Sequence, residues 1–460
     1  MRPRGARSVA GAWMRLMAFA LVLIGGAGAG RQTAVMAQEP ARVTFAFWGD
    51  PAEQRAYDRV IAEFEAAHPN IHIEAVYTPG QSEYQTKLAT SFAGGNPPDV
   101  FLINYRRYGQ YAARGALEPL GPYLRQSTAL RESDFYQIPM DAFRYRGGEL
   151  SCIPQNVSSL VIYYNVDLFR AQNVPLPADG WTWDEFLAAA KALTIDEDGD
   201  GQAEVYGLTV DPTMIRYVPF VWGAGGDVVD NVDDPTTLTL DTPEALAGIK
   251  WFIALGQTGH KVTPTEAEVQ SEDDESRFMN GRAAMLMQSR RVVPTLRQIE
   301  GFTWDVAPLP VGPAGPANIL HSDAFCMAAT ARDKTAAWTF IEFAVGERGQ
   351  TLLAETGRTV PSMIRVAESD AFLKGTSIGR VVGSEAGLPP ANSRVFLDNI
   401  ASMRRVPSIA TWPVVEDAFN TVFKRAFYVE MNVEDAIDVV SFTAREAFER
   451  ARQEEQNRNA

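Results

Sequence analysis

From residue 43 to residue 103 the sequence alternates short apolar runs with amphipathic segments, and this alternation most constrains the fold. Residues 43–47, 71–76 and 100–103 have the pattern of buried strands. The segments between them carry apolar residues at helical spacing, and Asp50 provides an N-cap for the first. Strand–helix–strand–helix–strand at this spacing predicts an open, mostly parallel α/β sheet. Ligands of such sheets bind beyond the carboxyl ends of the strands.

A second unit of the same class begins after Gly148. Residues 159–164 have a strand pattern, and a Thr-Trp-Asp-Glu capping box at residue 182 predicts the start of a helix. Residues 324–328 and 335–343 then give a further strand and helix, which indicates a return to α/β order. A chain of 460 residues is too long for one ordinary core. We therefore expect two α/β lobes joined by more than one crossover.

The composition excludes several classes of protein. Hydrophobic residues make up 46% of the chain and charged residues 22%, which is unlike a disordered chain, a collagen or a multi-span membrane protein. The formal net charge is −15. Because an acidic surface repels phosphate backbones, nucleic acid is not an expected partner. A small anionic ligand is not excluded, since a local basic pocket can form on an acidic protein.

Residues 1–37 have the organisation of a secretory signal peptide. Arginines precede an apolar run at residues 16–24, and a stretch of small residues ends at Ala37. The apolar run is too short to cross a bilayer, which favours a cleaved signal over the alternative, a retained membrane anchor. We therefore expect an exported protein, either periplasmic or at the extracellular face of the cell membrane.

Cys152 and Cys326 are the two cysteines, and both lie in apolar, strand-like runs. Two cysteines are too few for a disulfide scaffold or a four-thiolate zinc site. In an oxidising compartment they could pair with each other. Two buried thiols are an equally good interpretation, because free cysteine is among the most buried residue types.

An acidic loop after residue 195 has part of the spacing of a calcium-binding loop. Carboxylates occupy positions 1, 3, 5 and 9 of that loop, at Asp196, Asp198, Asp200 and Glu204. Position 12 is Gly207, so the bidentate glutamate of a complete EF-hand is missing. A structural calcium site and a solvated acidic turn are both open interpretations. No other cofactor is expected.

Four aromatic residues lie at strand ends or beside glycine and proline: Trp48, Tyr105, Trp222 and Trp412. Flat rings in such places can stack on the C–H faces of sugars, whose hydroxyls bind Asp, Asn and Arg side chains. Core packing is the alternative for each ring. The sequence has no His-Glu-x-x-His and no phosphate-loop lysine. No carboxylate pair is singled out for glycoside hydrolysis, so we do not expect an enzyme.

Five passages resemble the extracellular solute-binding proteins of ABC importers, in the cluster that includes maltose, multiple-sugar and glycerol-3-phosphate binders. They are residues 45–48 with the Glu-bearing helix that follows, 94–100, 153–165, 181–186 and 337–361. Each passage is moderately specific, and their order and spacing extend over most of the chain. The resemblance implies a two-lobed α/β periplasmic-binding-protein fold, with hinge-connected open sheets and a ligand cleft that closes by domain rotation.

The resemblance also implies domain boundaries and ligand contacts. The N-terminal lobe would comprise residues 42–150 and 320–360, and the C-terminal lobe residues 151–319 and 361–455. The implied ligand contacts are Trp48, Glu53, Asp99, Asn104, Tyr105, Asn156, Trp222, Gly225, Gly226, Arg290, Ser322, Asp323, Arg358 and Trp412. Many members carry two glycines where this chain has His-Ser-Asp at residues 321–323, so side-chain contacts would replace backbone contacts there.

The implied function is that of a monomeric substrate-binding subunit, which captures an oligosaccharide or a glycoside and delivers it to the membrane permease subunits of the importer. A related alternative is a binder of glycerophosphodiesters or glycerol 3-phosphate, in which Arg290 and Arg358 would clamp the phosphate. An alternative from a different class is a secreted glycoside hydrolase.

Overall fold

The computed structural model describes residues 40–374, 390–428 and 430–459. Within them the strands are β1 (Ala41–Trp48), β2 (Ile71–Thr78), β3 (Val100–Asn104), β4 (Leu117–Glu118), β5 (Cys152–Pro154), β6 (Leu160–Asn165), β7 (Met285–Ser289), β8 (Trp304–Ala307), β9 (Asn318–Ile319), β10 (Asp323–Ala328) and β11 (Met403–Arg404). The predicted signal peptide, residues 1–37, lies outside the described residues.

The helices of the same ranges connect these strands. They are α1 (Pro51–Ala67), α2 (Gln81–Ala93), α3 (Tyr105–Ala112), α4 (Gly121–Gln126), α5 (Gln137–Ala142), α6 (Val166–Ala171), α7 (Trp183–Ala192), α8 (Met214–Gly223), α9 (Pro243–Ile253), α10 (Glu266–Ser271), α11 (Asp274–Met279), α12 (Val293–Leu296), α13 (Lys334–Val345), α14 (Glu347–Ala354), α15 (Ile364–Ala367), α16 (Asp370–Leu373), α17 (Val395–Asp398), α18 (Trp412–Phe427) and α19 (Val433–Asn459). In the described part of the chain, no helix combines the length and the apolar character needed to span a bilayer.

The first sheet has the strand order β2-β1-β3-β10-β4, and β5 also pairs with β10. The predicted parallel part is present, because β1 pairs in parallel with both β2 and β3. Strand β10 arrives from much later in the chain and pairs antiparallel with β3, β4 and β5. The second sheet has the order β7-β6-β8, and both of its pairings are antiparallel.

The start of α1 follows the sequence prediction. The side chain of Asp50 accepts hydrogen bonds from the backbone N–H groups of Ala52 at 2.8 Å and Glu53 at 3.0 Å, which satisfies two of the amides that a helix start leaves unpaired. Gly49, between β1 and this cap, has a φ of +152°. A side chain at Gly49 would also collide with Glu53, so this turn requires glycine.

Three segments, residues 155–159, 319–323 and 358–362, run side by side, and we call them the crossing segments. Ser158 and His321 exchange two backbone hydrogen bonds of 2.7 and 2.8 Å. The N–H of Val157 donates to the carbonyl of Val360 at 3.0 Å. The first of these segments joins β5 of the first sheet to β6 of the second, so the chain passes between the sheets here.

Cys152 and Cys326 form a disulfide bond between β5 and β10. The two residues are directly opposite each other in the antiparallel pairing. Both are fully buried. Of the two interpretations that the sequence leaves open, the structure therefore supports the disulfide bond and not two free thiols. The bond lies at a buried position in the first sheet.

Candidate functional site

The main cavity of interest, about 510 Å³ in volume, lies where the first sheet, the second sheet and the crossing segments meet. The carboxyl ends of β1 and β3 reach it at Trp48 and Asn104, and β7 reaches it at Ser289. This is the strand-end position at which open α/β sheets bind ligands.

One corner of the cavity, which we call the acidic corner, contains Asp50, Glu53 and Arg358. The Nη1 of Arg358 donates to Asp50 Oδ2 at 2.5 Å, and its Nε lies 2.8 Å from Glu53 Oε2. The same Nη1 also donates to the backbone carbonyl of Arg291, which follows β7, at 3.2 Å. Arg358 therefore joins the start of α1 to the end of a strand in the second sheet.

Burial determines the protonation of Glu53. Removal of the carboxyl from water raises its pKa to about 7, although the nearby Arg358 acts in the opposite direction. The charges of Asp323 and Asp50 raise this pKa further. Near neutral pH the group therefore exchanges between a carboxylate that only accepts hydrogen bonds and a neutral acid that also donates one.

Asp323, at the start of β10, is held by two amide side chains. Asn104 Nδ2 donates to its Oδ1 at 3.0 Å, and Asn156 Nδ2 donates to its Oδ2 at 3.3 Å. The backbone N–H of Asp323 returns a hydrogen bond to Asn156 Oδ1 at 2.8 Å. Burial raises the pKa of this carboxyl, and the two amide hydrogen bonds only partly offset that effect. The arrangement fixes a carboxyl oxygen pair on the wall of the cavity.

Two arginines that line the cavity have carboxylate partners behind the wall. Arg106, in the first turn of α3, forms a salt bridge with the buried Glu416 of α18, with Nε and Oε2 3.1 Å apart. Arg291 forms a salt bridge with Glu275 of α11. Both guanidinium groups are thus held in place without a ligand.

Arg216 is the fourth arginine on the wall, after Arg358, Arg106 and Arg291, and its described side-chain partners are neutral. Its Nη1 donates to Thr213 Oγ1 at 2.9 Å and its Nη2 to Gln288 Oε1 at 3.1 Å. His321 lies in the same part of the cavity, and Arg106, Arg216 and Arg291 all act on it. Burial and these three cations lower the pKa of His321 well below its usual value, so its imidazole is neutral. We call Arg106, Arg216 and His321 the basic corner.

The structure brings together six of the fourteen residues that the sequence analysis names as ligand contacts. Those on the cavity wall are Trp48, Glu53, Asn104, Asn156, Asp323 and Arg358. The other eight lie outside it: Asp99, Tyr105, Trp222, Gly225, Gly226, Arg290, Ser322 and Trp412. Among the described residues that line the cavity, Trp48 is the single Trp, Tyr or Phe.

Asp99 lies at the opposite end of the first sheet, just before β3. Its carboxylate accepts hydrogen bonds from the N–H and the hydroxyl of Thr44, at 2.9 and 2.8 Å. Arg332 Nη2 donates to it at 2.7 Å. Burial by itself would raise the pKa of Asp99, but these hydrogen bonds lower it to about 2. Asp99 therefore fastens the amino ends of the strands.

Tyr105 and Trp412 are core residues, each fully buried at the first position of a helix. The hydroxyl of Tyr105 accepts a hydrogen bond from the N–H of Val406 at 3.3 Å. The prediction that these rings line the site rested on their position after a strand or beside proline. In the structure, the packing of α3 and α18 directs both rings into the core.

Trp222 lies beside a separate cavity of about 230 Å³, where the guanidinium of Arg404 is 4.7 Å from its ring. Its Nε1 donates to Asp227 Oδ1 at 3.1 Å. Gly225 has a φ of +94°, and Gly226 lies against the backbone of Ala245. These glycines serve the turn after α8 and its packing on α9.

Arg290 and Ser322 also point away from the cavity. The guanidinium of Arg290 lies between the rings of Phe372 and Phe396, at 4.2 and 4.7 Å from their centroids, and burial lowers its pKa to about 9. The hydroxyl of Ser322 donates to the carbonyl of Asn156 at 2.7 Å. In the His-Ser-Asp passage, the side chains that reach the cavity are therefore those of residues 321 and 323.

Sequence reasoning did not find the basic corner. Arg106 is only two residues beyond the end of β3, so the strand-end rule could have located it. Arg216 lies on an almost wholly buried helix, α8, where the sequence suggests only core. Asp211, another residue of the wall, follows an apolar run in the same way as the residues that end strands.

The acidic loop brings three of its four predicted ligands together. One carboxylate oxygen from each of Asp196, Asp198 and Glu204 lies within 4.8 Å of the others, and all three residues are exposed. The carboxylate of Asp196 accepts hydrogen bonds from the N–H groups of Gly199 and Gly201, at 2.8 and 3.0 Å. A solvated acidic turn has this geometry too, so calcium binding stays a prediction.

Comparison with known families places this fold and this site in context. The sequence model of the bacterial extracellular solute-binding proteins matches residues 48–351. That stretch includes the second sheet, the strands of the first sheet other than most of β1, and most of the cavity wall described above.

Solved structures and a curated relative are similar over most of the chain. The ABC substrate-binding protein from Listeria monocytogenes in complex with cycloalternan is 25% identical, covers 90% of this chain and 98% of its own, and gives a TM-score of 0.77. The GacH receptor of Streptomyces glaucescens, solved unliganded and with acarbose, is 21% identical over 90% of this chain and 99% of its own, with a TM-score of 0.74. The erythritol/L-threitol-binding protein of Mycolicibacterium smegmatis is 25% identical over 66% of both chains. These similarities confirm the two-lobed binding-protein fold.

Proposed function

This chain belongs to the bacterial extracellular solute-binding protein family, and from that premise we propose that it is the exported substrate-binding subunit of an ABC importer, with a carbohydrate as its solute. It captures the solute in the cavity between the two sheets by lobe closure and presents it to the membrane permease subunits. It acts as a monomer and leaves the solute chemically unchanged.

The composition of the cavity wall carries the carbohydrate proposal. Sugar hydroxyls both donate and accept hydrogen bonds, and the wall offers both kinds of partner on rigid elements. Asp323, fixed by Asn104 and Asn156, provides acceptors, and Arg216, whose partners are neutral, provides donors on another part of the wall. Trp48, whose ring centroid is 4.8 Å from that of Tyr84, provides one flat apolar surface for a sugar ring.

The similar proteins support the same solute class. The Listeria monocytogenes protein binds cycloalternan, and the Mycolicibacterium smegmatis relative is named for the polyols erythritol and L-threitol. All of these ligands are rich in hydroxyl groups. A polar cavity whose described lining includes a single Trp, Tyr or Phe suits such solutes better than it suits apolar ones.

The phosphate-binding alternative loses its proposed clamp. Arg290 is enclosed by two phenylalanine rings outside the cavity, and Arg358 is already paired with Asp50 and Glu53. The two side chains that would hold a phosphate are therefore not available together.

A glycoside hydrolase is the second candidate function, because Glu53 and Asp323 are two carboxyls with raised pKa values in one cavity. Catalytic acids of hydrolases have this property. Against it, both oxygens of Asp323 accept hydrogen bonds from amides, and Glu53 lies against Arg358. These contacts suit reversible binding of hydroxyl groups.

The test is tryptophan fluorescence and thermal melting of residues 38–460 with a panel of polyols, mono- and disaccharides, glycerol 3-phosphate and aryl glycosides. A solute that binds only the folded state raises stability by roughly 2.7 kcal/mol at a hundredfold excess over its Kd. A saccharide that shifts both signals without product formation supports the proposal. Turnover of an aryl glycoside that is lost in Glu53→Gln would replace it with the hydrolase.

A further inference from the structure

The basic corner holds a cation, Arg216, that forms no salt bridge within the described residues, although three carboxylates act on it through space. Arg216 is 6% exposed, and its described hydrogen-bond partners are the neutral side chains of Thr213 and Gln288. A guanidinium has five N–H donors, so most of its donor capacity is unused. Its Nε is buried and has no hydrogen-bond partner among the described residues. A buried cation without a carboxylate partner is costly, and a solute anion would offset that cost.

The neighbouring carboxylates do not fill this role. Asp211, Asp274 and Glu275 act on Arg216 through space, but none of them forms a salt bridge with it in the described structure. Glu275 is already paired with Arg291. Burial outweighs these charges and lowers the pKa of Arg216.

The two other members of the basic corner, Arg106 and His321, also have buried nitrogen atoms without a hydrogen-bond partner. The Nη1 of Arg106 is buried without a hydrogen-bond partner, although its Nε is held by Glu416. The Nε2 of His321 is also buried and unpartnered. The corner therefore combines two cationic groups and a neutral imidazole on one part of the wall, and the acidic corner lies on another part of the same cavity.

We propose that the solute is an acidic saccharide, and that its oxyanion group docks on Arg216 between Arg106 and His321 while its hydroxyl groups bind Asp323 and the acidic corner. A guanidinium and a carboxylate or phosphate form charge-assisted hydrogen bonds of good geometry. This inference rests on the proposed carbohydrate function and adds the chemical class and the orientation of the solute. The oxyanion is a sugar carboxylate or a sugar phosphate, and the two sources are separated by experiment.

The experiment compares solutes that differ only in one acidic group. Isothermal titration at low ionic strength uses galactose against galacturonate, glucose against glucuronate and glucose 6-phosphate, and galactobiose against digalacturonate. Glycerol 3-phosphate provides an anion without a sugar. We expect an acidic saccharide to bind roughly tenfold or more tightly than its neutral counterpart, because a charge-assisted hydrogen bond adds that much affinity.

Variants then locate the effect. In Arg216→Gln the preference for the acidic partner should fall to about unity, and in Arg216→Lys, which keeps the charge, part of it should remain. Arg59→Gln is the matched control, because Arg59 lies on the same helix as Glu53 but pairs with Glu355 outside the cavity. A thermal melt of each variant shows that it is folded.

The outcomes separate this inference from the proposed function. Equal or tighter binding of the neutral partners, or an acidic preference that survives Arg216→Gln, overturns the inference and leaves carbohydrate binding intact. Binding of glycerol 3-phosphate alone, or of no saccharide at all, overturns the carbohydrate function and this inference with it.

Discussion

Each end of the first sheet carries an aspartate, buried at Asp99 and partly buried at Asp323, and the protein stabilises opposite protonation states of the two. Asp99 precedes β3 at its amino end, and Asp323 is paired with Asn104 at its carboxyl end. Asp99 receives hydrogen bonds from Thr44 and from the cation of Arg332. Asp323 receives two amide hydrogen bonds and forms no salt bridge within the described residues.

The pKa values of the two carboxyls express this difference. Hydrogen bonds lower the pKa of Asp99 to about 2, whereas burial raises the pKa of Asp323. The charged form is stabilised at the first end and destabilised at the second. The comparison teaches that burial of an acidic residue does not by itself identify a site, and that incomplete compensation by the protein does.

The largest effect is expected from removal of the disulfide bond between β5 and β10 of the first sheet. Cys152→Ala with Cys326→Ala removes a bond that closes a loop of 174 positions, so the free energy of unfolding should fall by about 4 kcal/mol. Chemical denaturation of the wild type with and without reductant, and of the double variant, measures this. If the disulfide contributes only to the free energy of unfolding, the folded double variant binds the solute with unchanged affinity. A large affinity loss would show that the disulfide also positions Asp323, and the comparison of the two ends would then need revision.

Glu53 should make stability fall as pH rises. Its pKa is raised from 4.5 to about 7, so the native state holds a proton that the unfolded state releases between these values. The free energy of unfolding should therefore decrease by up to about 3 kcal/mol between pH 4.5 and pH 7.5 through this group. Chemical denaturation at a series of pH values measures this, and the free energy of unfolding of Glu53→Gln should depend less steeply on pH than that of the wild type. An equally steep dependence in the variant would contradict the assignment.

Asp99→Asn tests the structural end. The substitution keeps the shape but removes the charge that Arg332 and Thr44 surround, so we expect a loss of about 2 kcal/mol in the free energy of unfolding. The wild-type contribution is present above the ordinary aspartate pKa and is lost as pH falls towards 2. Solute affinity should change less than twofold. A large drop in affinity would mean that the two ends are coupled through β3.

Asp323→Asn applies the same substitution at the cavity end. Burial disfavours the charged form of Asp323, so the neutral amide removes that cost. Its NH2 group, however, faces the NH2 group of Asn104 or Asn156, so we expect a small fall in the free energy of unfolding, less than in Asp99→Asn. Solute affinity should fall by about 2 kcal/mol, or roughly thirtyfold, since a charged acceptor for hydroxyls is lost. Titration calorimetry with the best solute and a melt of the unliganded variant measure both. Destabilisation as large as that of Asp99→Asn would break the contrast.

Trp48→Ala should have the smallest effect. The ring provides one stacking surface, so affinity should fall by about 1 kcal/mol, and the ligand-dependent fluorescence change should shrink with it. Trp412→Phe is the control, because Trp412 is fully buried outside the cavity. If the ligand-dependent fluorescence change decreases more in Trp412→Phe than in Trp48→Ala, the solute does not stack on Trp48.

The sequence predicted the frame of the site better than its lining. The alternation of apolar runs predicted β1, α1, β2, α2 and β3 in order, because these contacts are local and leave periodic signatures. The strand-end rule predicted Trp48 and Asn104 in the cavity. It could not predict the direction of a side chain, and so Tyr105, which is adjacent to Asn104, turned out to be core.

The basic corner was beyond prediction because its members come from three distant parts of the chain. Arg106, Arg216 and His321 meet only when α3, α8 and a crossing segment are assembled. Apart from the position of Arg106 just beyond β3, nothing in their local sequences distinguishes them from surface or core residues. Their common feature, polar atoms that the fold leaves unpaired, exists only in three dimensions.

The position of β10 has a consequence for how the chain acquires its structure. This strand lies between β3 and β4 in the first sheet, yet Asp323 and Asn104, which it brings together, are 219 positions apart. Until it arrives, β3 has a bare edge of unpaired amides and carbonyls that attracts other chains. Such long-range pairing slows folding, because a large loop must close before the contact is gained. We therefore expect this chain to fold slowly, with the edge of β3 as the segment most open to association with other chains before β10 pairs with it.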